Sequence, residues 1–256
     1  MIWGAPELIE LGILGLGAGA LNAAAGGGSL IIFPALVAFG LPPLTANLSN
    51  TVAQCPGYVA IVQGYLPELA GTRRRILQLI PASLLGGSAG VAALELASPA
   101  TFHDVVPALV ILACALLALQ PQVSRMLSQR PGRAARVRVA GFHLAVALAC
   151  AYAAYFGAAA GILLLAILGL FVIDDIQRLN ALNRLLIMVV NVLAAVLFVV
   201  LGPVSWPAIA VLAPTTMVGG RTGVSVVRRL APETLRATVL LIGVGASAYL
   251  VATSWF

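Results

Sequence analysis

Arg184 is the residue of this sequence best suited to bind a charged substrate. It lies in the otherwise apolar segment 179–201, where a charge costs free energy unless it is paired or faces a cavity. Helical spacing of three and four residues places it on one face with Asn180, Asn183 and Asn191. A guanidinium flanked by amides suits a small anion. The alternative is that Arg184 extends to the cytoplasmic surface and acts as an anchor.

A second group of polar side chains opens the apolar segment 43–66. Its members are Thr45, Asn47, Ser49, Asn50, Thr51 and Gln54. Such a density of polar groups is expensive in an apolar span unless they are paired or line a cavity. We predict that Asn47, Ser49 and Asn50 bind substrate, with capping or bonding between helices as the alternative. Gln54 is assigned to bonding between helices.

Two runs of small residues, 23–29 and 156–161, predict breaks in helices. The first contains three consecutive glycines, each of which costs about 1 kcal/mol in a helix relative to alanine. The helix after each break would begin with unpaired N–H groups that can cradle an anion. Close helix packing is the alternative reason for the small residues. The predicted binding residues at the breaks are Gly26, Gly27, Gly28, Ser29 and Gly161, with Asn22 and Tyr155 just before them.

The elements that must position these residues are apolar helices. Hydrophobic residues make up 61% of the 256-residue chain. Charged residues make up 9%, whereas about a quarter of the residues in soluble domains are charged. The chain is therefore predicted to be an integral membrane protein, with lipid as its partner and without nucleic acid. The apolar segments are approximately 8–25, 28–39, 43–66, 76–97, 102–120, 139–157, 160–173, 179–201, 206–227 and 237–256.

The segments 28–39 and 160–173 are too short to cross a hydrocarbon core of about 30 Å. If each forms a hairpin with the segment before it, thirteen of the fourteen arginines, all except Arg184, fall on the cytoplasmic side, as the positive-inside rule requires. Both termini then lie outside. The residues that follow Gly27 are similar to those that follow Gly161, 134 positions later. This favours a single transport domain of two inverted repeats, 8–120 and 139–256, joined by a cytoplasmic loop over 121–138.

Two longer runs resemble a known family. GGGSLIIFPALVAFGLPPLTANLSNTVA is similar to the first conserved block of the TauE/SafE sulfite-exporter family, and YFGAAAGILLLAILGLFVIDDIQRLNALNRLL to its repeated block. The chain departs from the family pattern at Leu48-Ser49-Asn50, where G-T-S is common, and at Ala159 and Ala160, where glycine is common. The resemblance implies a membrane transporter that exports sulfite, a sulfonate or a related sulfur-containing or organic anion.

The sequence thus predicts an all-α secondary transporter of a small anion in a bacterial inner membrane. No cofactor, metal site or catalytic residue is expected, because no HExxH helix is present and no pair of aspartates lies at membrane depth. An anion channel and a carrier of another small solute or metal ion stay open as alternatives. A coupled proton and a homo-oligomeric state are also left open.

Overall fold

The computed structural model describes residues 4–24, 26–129 and 139–227. In this part of the chain every regular element is a helix. The helices are α1 (Ala5–Ala24), α2 (Ser29–Ala38), α3 (Pro43–Gly64), α4 (Leu66–Leu69), α5 (Arg73–Leu96), α6 (Pro99–Gln129), α7 (Val139–Tyr155), α8 (Ala160–Phe171), α9 (Ile176–Leu201) and α10 (Trp206–Val227). The all-helical prediction is confirmed.

Both predicted helix breaks are present, and the backbone turns in a similar way at each. Gly26 has a φ of 77° in the break between α1 and α2, and Gly157 has a φ of 78° between α7 and α8. Glycine adopts this left-handed conformation without the steric cost that a side chain brings. Ala159 is also left-handed, with a φ of 58°, at the start of α8.

Among the described residues, three helices are long and apolar enough to cross a membrane, namely Arg73–Leu96, the Pro99–Leu119 part of α6 and Ile176–Leu201. Helices α1, α3 and α10 have similar lengths, with 20, 22 and 22 residues. Large apolar side chains such as Leu85, Leu96 and Val200 are exposed on the outside of the bundle. An apolar exterior is what a lipid environment requires, so the chain is a membrane protein.

Small residues set the closest helix contacts. Helix α1 packs mainly against α10, and α5 packs mainly against α7. A Cβ built on Gly90 of α5 would lie 2.2 Å from the Ala151 carbonyl oxygen, and one on Gly19 of α1 would lie 2.3 Å from that of Thr216. These helix backbones are therefore in direct contact, as is common where small residues line membrane helices.

One end of the bundle is joined by an ion-pair cluster. The Arg75 guanidinium hydrogen-bonds the Asp174 carboxylate, which also lies 3.8 Å from Arg178. Asp175 caps α9 by accepting a hydrogen bond from the Gln177 N–H at 2.8 Å. The aspartate pair therefore lies beside Arg178, between α8 and α9.

Helix α6 extends further than the hydropathy pattern predicts. The apolar segment ends near residue 120, but the helix continues to Gln129 and carries Arg125. The first half of the predicted loop 121–138 is therefore helical. The predicted last segment, 237–256, lies outside the described residues, as do the arginines at 130, 133, 136, 138, 228, 229 and 236.

Candidate functional site

The two helix breaks meet at Arg184. A Cβ built on Gly26 would lie 3.0 Å from Arg184 Nη1, and one built on Gly161 would lie 3.5 Å from the same atom. The Gly26 position is also only 3.8 Å from the Gly161 Cα. Arg184 itself is 4% exposed, so its side chain runs into the protein interior instead of reaching the surface. The guanidinium thus lies where both chain breaks come together.

Asn183 of α9 lies beside the same meeting point of the two helix breaks. It is 1% exposed, and its Nδ2 lies 3.6 Å from the Cβ position of Gly161. No hydrogen-bond partner for its Oδ1 is found among the described residues. Buried amide atoms are nearly always paired in folded proteins. An exception beside a buried arginine indicates a position where a ligand or water would bind.

Asn47 joins α3 to the second break. Its Nδ2 donates to the Tyr155 carbonyl oxygen at 3.0 Å, while its Oδ1 has no partner in the described part of the chain. Tyr155 therefore contributes its carbonyl to the arrangement, and its ring packs on Phe102 with a centroid distance of 6.0 Å.

A buried hydrogen-bond network surrounds the first break. The Gly28 N–H donates to Asn22 Oδ1 at 2.8 Å, and Asn22 Nδ2 donates to Gln54 Oε1. Gln54 Nε2 in turn donates to Ser29 Oγ at 3.0 Å and to Asn50 Oδ1. Gln54 thus bonds α3 to α1 and α2, which confirms its predicted role between helices.

Neither short helix has a side-chain cap. The residues before α2 and α8 are Gly28 and Ala159, and neither offers a side-chain acceptor to the helix that follows. The positive ends of both helix dipoles therefore lie at the breaks, close to Arg184. Three sources of positive potential converge there, and such a place attracts an anion.

Comparison with known proteins identifies the family. The family model described as "Sulfite exporter TauE/SafE" matches residues 11–250. The chain belongs to the TauE/SafE family. The chain is also 25% identical over 246 residues to the "Probable membrane transporter protein YfcA" of Escherichia coli strain K12, covering 93% of this chain and 87% of that protein. The proteins of the same name in strains O6:H1 and O157:H7 give the same values. This TauE/SafE protein is therefore a membrane transporter.

Two residues that the sequence assigned to the site of this TauE/SafE protein make other contacts, and no contact with the site is found for a third. The Ser49 Oγ accepts a hydrogen bond from the Ser205 N–H at 2.8 Å, before α10. A Cβ on Gly27 would face Leu21 and Leu117, away from Arg184. Asn180 is half-buried one turn before Asn183, and no hydrogen bond of its side chain is found in the described residues. Their part in binding stays a prediction.

Proposed function

We propose that this protein is a secondary transporter that binds a small anion at Arg184, between the two helix breaks. The observation that carries the proposal is the position of Arg184 Nη1 beside both Gly26 and Gly161. A buried guanidinium next to two uncapped helix starts favours an anion and disfavours a cation. The Asn183 Oδ1, which has no partner in the described part of the chain, lies at the same point and would accept a hydrogen bond from a water or from a protonated oxygen of the substrate.

The depth of these residues supports a transport site. Arg184 is the ninth residue of α9 and Asn50 the eighth residue of α3. At 1.5 Å per residue they lie about 12 Å and about 11 Å from the helix starts. Half of the hydrocarbon core is about 15 Å thick. Both residues would therefore lie near the middle of the bilayer, where transporters with broken helices bind their substrates.

The packing of the helices supports two inverted repeats. Helix α1 opens the first half and packs on α10 of the second, while α7 opens the second half and packs on α5 of the first. This exchange is what a two-fold relation between α1–α5 and α7–α10 produces. The matched left-handed turns at Gly26 and Gly157 fit the same relation. An inverted repeat favours alternating access over a continuous channel.

The substrate class follows from the site and the family together. We propose sulfite, a sulfonate or a related sulfur-containing or organic anion, exported across a bacterial inner membrane with both chain termini outside. A proton or the membrane potential would drive transport.

The test is anion binding and transport by the purified full chain. Sulfite, thiosulfate and methanesulfonate are screened by thermal shift, since a ligand of the folded state raises the unfolding midpoint. Arg184→Gln is expected to abolish the shift. Arg178→Gln is the matched control, because Arg178 lies on the same helix but is exposed, and it should respond as wild type does.

Transport is then measured in proteoliposomes. A carrier shows saturable flux that depends on an imposed proton gradient or potential, whereas a channel shows flux without saturation or coupling. An Arg184→Gln protein that binds and transports anions like wild type would remove Arg184 from the site.

A further inference from the structure

The hydrogen bonds around the first break have a fixed direction, and the backbone sets it. A half-turn of an asparagine or glutamine side-chain amide exchanges the positions of its oxygen and its NH₂ group. The hydrogen-bond partners therefore determine which of the two occupies each position. The Gly28 N–H can only donate, so the Asn22 atom it contacts at 2.8 Å is the oxygen. Asn22 must then direct its Nδ2 toward Gln54.

The same reasoning fixes Gln54 and its two neighbours. Because Asn22 donates, the Gln54 atom that receives the bond is Oε1. Gln54 Nε2 therefore faces the other way and donates to both Ser29 Oγ and Asn50 Oδ1. With these acceptors occupied, the Ser29 hydroxyl and the Asn50 Nδ2 are left as donors.

We infer that Gln54 is a positioning residue that orients Asn50 and Ser29 as hydrogen-bond donors and so makes the first break selective for anions. The inference rests on the proposed function, since the anion is the one that Arg184 attracts. Gln54 acts without contacting the anion. It fixes the direction of Ser29 and Asn50, the two side chains predicted to bind the anion.

Burial makes this orientation costly to reverse. Asn22, Ser29, Asn50 and Gln54 are all at most 6% exposed. Turning one amide alone would bring two oxygens or two N–H groups together without water to separate them, and an unmatched buried polar group costs the full desolvation penalty. The four side chains therefore hold one orientation together.

Three substitutions reverse or remove the orientation. In Asn22→Asp the ionised carboxylate still accepts from the Gly28 N–H but cannot donate to Gln54, so Gln54 turns and Asn50 presents its oxygen. In Gln54→Glu the carboxylate can only accept, so Asn50 donates its Nδ2 to it and again presents its oxygen. Gln54→Leu removes the orienting amide without adding a titratable group. Gln63→Glu is the matched control, because Gln63 lies on the same helix but is exposed.

The affinity for methanesulfonate or thiosulfate, whichever the wild type binds, is measured on the full chain by calorimetry. Both anions keep their charge between about pH 5 and about pH 9. Loss of a hydrogen bond to a charged group should weaken binding roughly ten- to hundredfold in the three variants at about pH 9. Gln63→Glu should bind as wild type does. At about pH 5 the new carboxyl of Asn22→Asp can donate again, and its affinity relative to wild type should recover.

A double-mutant cycle separates positioning from simple structural damage. In an Asn50→Ala background, Asn22→Asp should cause a clearly smaller further loss of affinity, because its effect passes largely through Asn50. Equal losses in both backgrounds would overturn the inference. So would wild-type affinity in all three variants, with the proposed function left intact. A wild-type chain that binds none of the anions would overturn the proposed function itself.

Discussion

The Arg75 guanidinium hydrogen-bonds the Asp174 carboxylate across the two halves of the chain. Arg75 lies in the first turn of α5, and Asp174 lies between α8 and α9. If 8–39 and 139–173 were two uninterrupted spans, these residues would lie on opposite membrane faces. Their ion pair requires one face, and that requirement favours the two hairpins.

Labelling of introduced cysteines tests this arrangement. Arg74→Cys and Gln177→Cys, both at exposed positions, should react with a membrane-impermeant maleimide only from the cytoplasmic side, while Asp104→Cys should react only from the outside. The native Cys55, Cys114 and Cys150 are first replaced by serine or alanine. Labelling of positions 74 and 177 from opposite sides would show that the hairpin arrangement is wrong.

The same ion pair predicts a pH dependence of stability. Burial of the Asp174 carboxylate raises its pKa, but the hydrogen bond from Arg75, the Asp175 N–H and the charges of Arg75 and Arg178 outweigh this, so the pKa lies below its ordinary value of 3.8. A carboxyl with a lowered folded-state pKa stabilises the protein fully above the unfolded pKa, and this contribution disappears as the pH falls through the folded pKa.

The unfolding midpoint in detergent, followed from neutral pH to below about pH 4, is the measurement. Asp174→Asn should lower the midpoint at neutral pH and converge on wild type in acid. Asp104→Asn is the control, because Asp104 is exposed, and it should follow the wild-type curve. A constant difference between Asp174→Asn and wild type at every pH would contradict the assignment.

Gly26 offers a direct test of the contact between the first break and Arg184. In Gly26→Ala the new Cβ would meet Nη1 at 3.0 Å and would also hold alanine in a left-handed conformation, which costs about 1–2 kcal/mol. We expect both lower stability and anion affinity reduced at least about tenfold, since a displaced guanidinium loses its alignment.

Gly71→Ala separates the cost of a left-handed alanine from the displacement of Arg184. Gly71 has a φ of 81° and nothing within 4 Å of its Cβ position, so this variant meets a similar backbone cost but should keep wild-type affinity in a methanesulfonate titration. If Gly26→Ala and Gly71→Ala bind the anion equally well, Arg184 is not held by the first break.

The helix contact between α5 and α7 predicts a large effect from one methyl group. Gly90→Ala would place a Cβ 2.2 Å from the Ala151 carbonyl oxygen, and the two helices would have to separate. Overpacking of this kind costs about 1–3 kcal/mol. Gly17→Ala, with nothing within 4 Å of its Cβ position, should leave the thermal midpoint unchanged or slightly higher. Equal midpoints for the two variants would contradict the packing.

The helices and their breaks could be predicted from the sequence because apolar length and glycine runs are local signals. The end of α6 could not, since hydropathy reports where apolar residues stop and not where backbone hydrogen bonding stops. The direction of the Gln54 hydrogen bonds also escapes the sequence. It depends on the Gly28 N–H, which meets Asn22 beside Gln54 only after α1, α2 and α3 have packed. Ser49 shows the same limit, because its partner Ser205 is 156 positions away.

The exchange of helices between the halves has a consequence for biosynthesis. Gly19 packs on the backbone near Thr216 and Gly220. Helix α1 therefore lacks its main packing partner until α10 has left the ribosome. At about 5–20 residues per second, synthesis of the intervening chain takes roughly 10–40 s. During that time the face of α1 that carries Gly19 is not covered by α10. The earliest helix of the chain is therefore the one whose main packing partner is synthesised late.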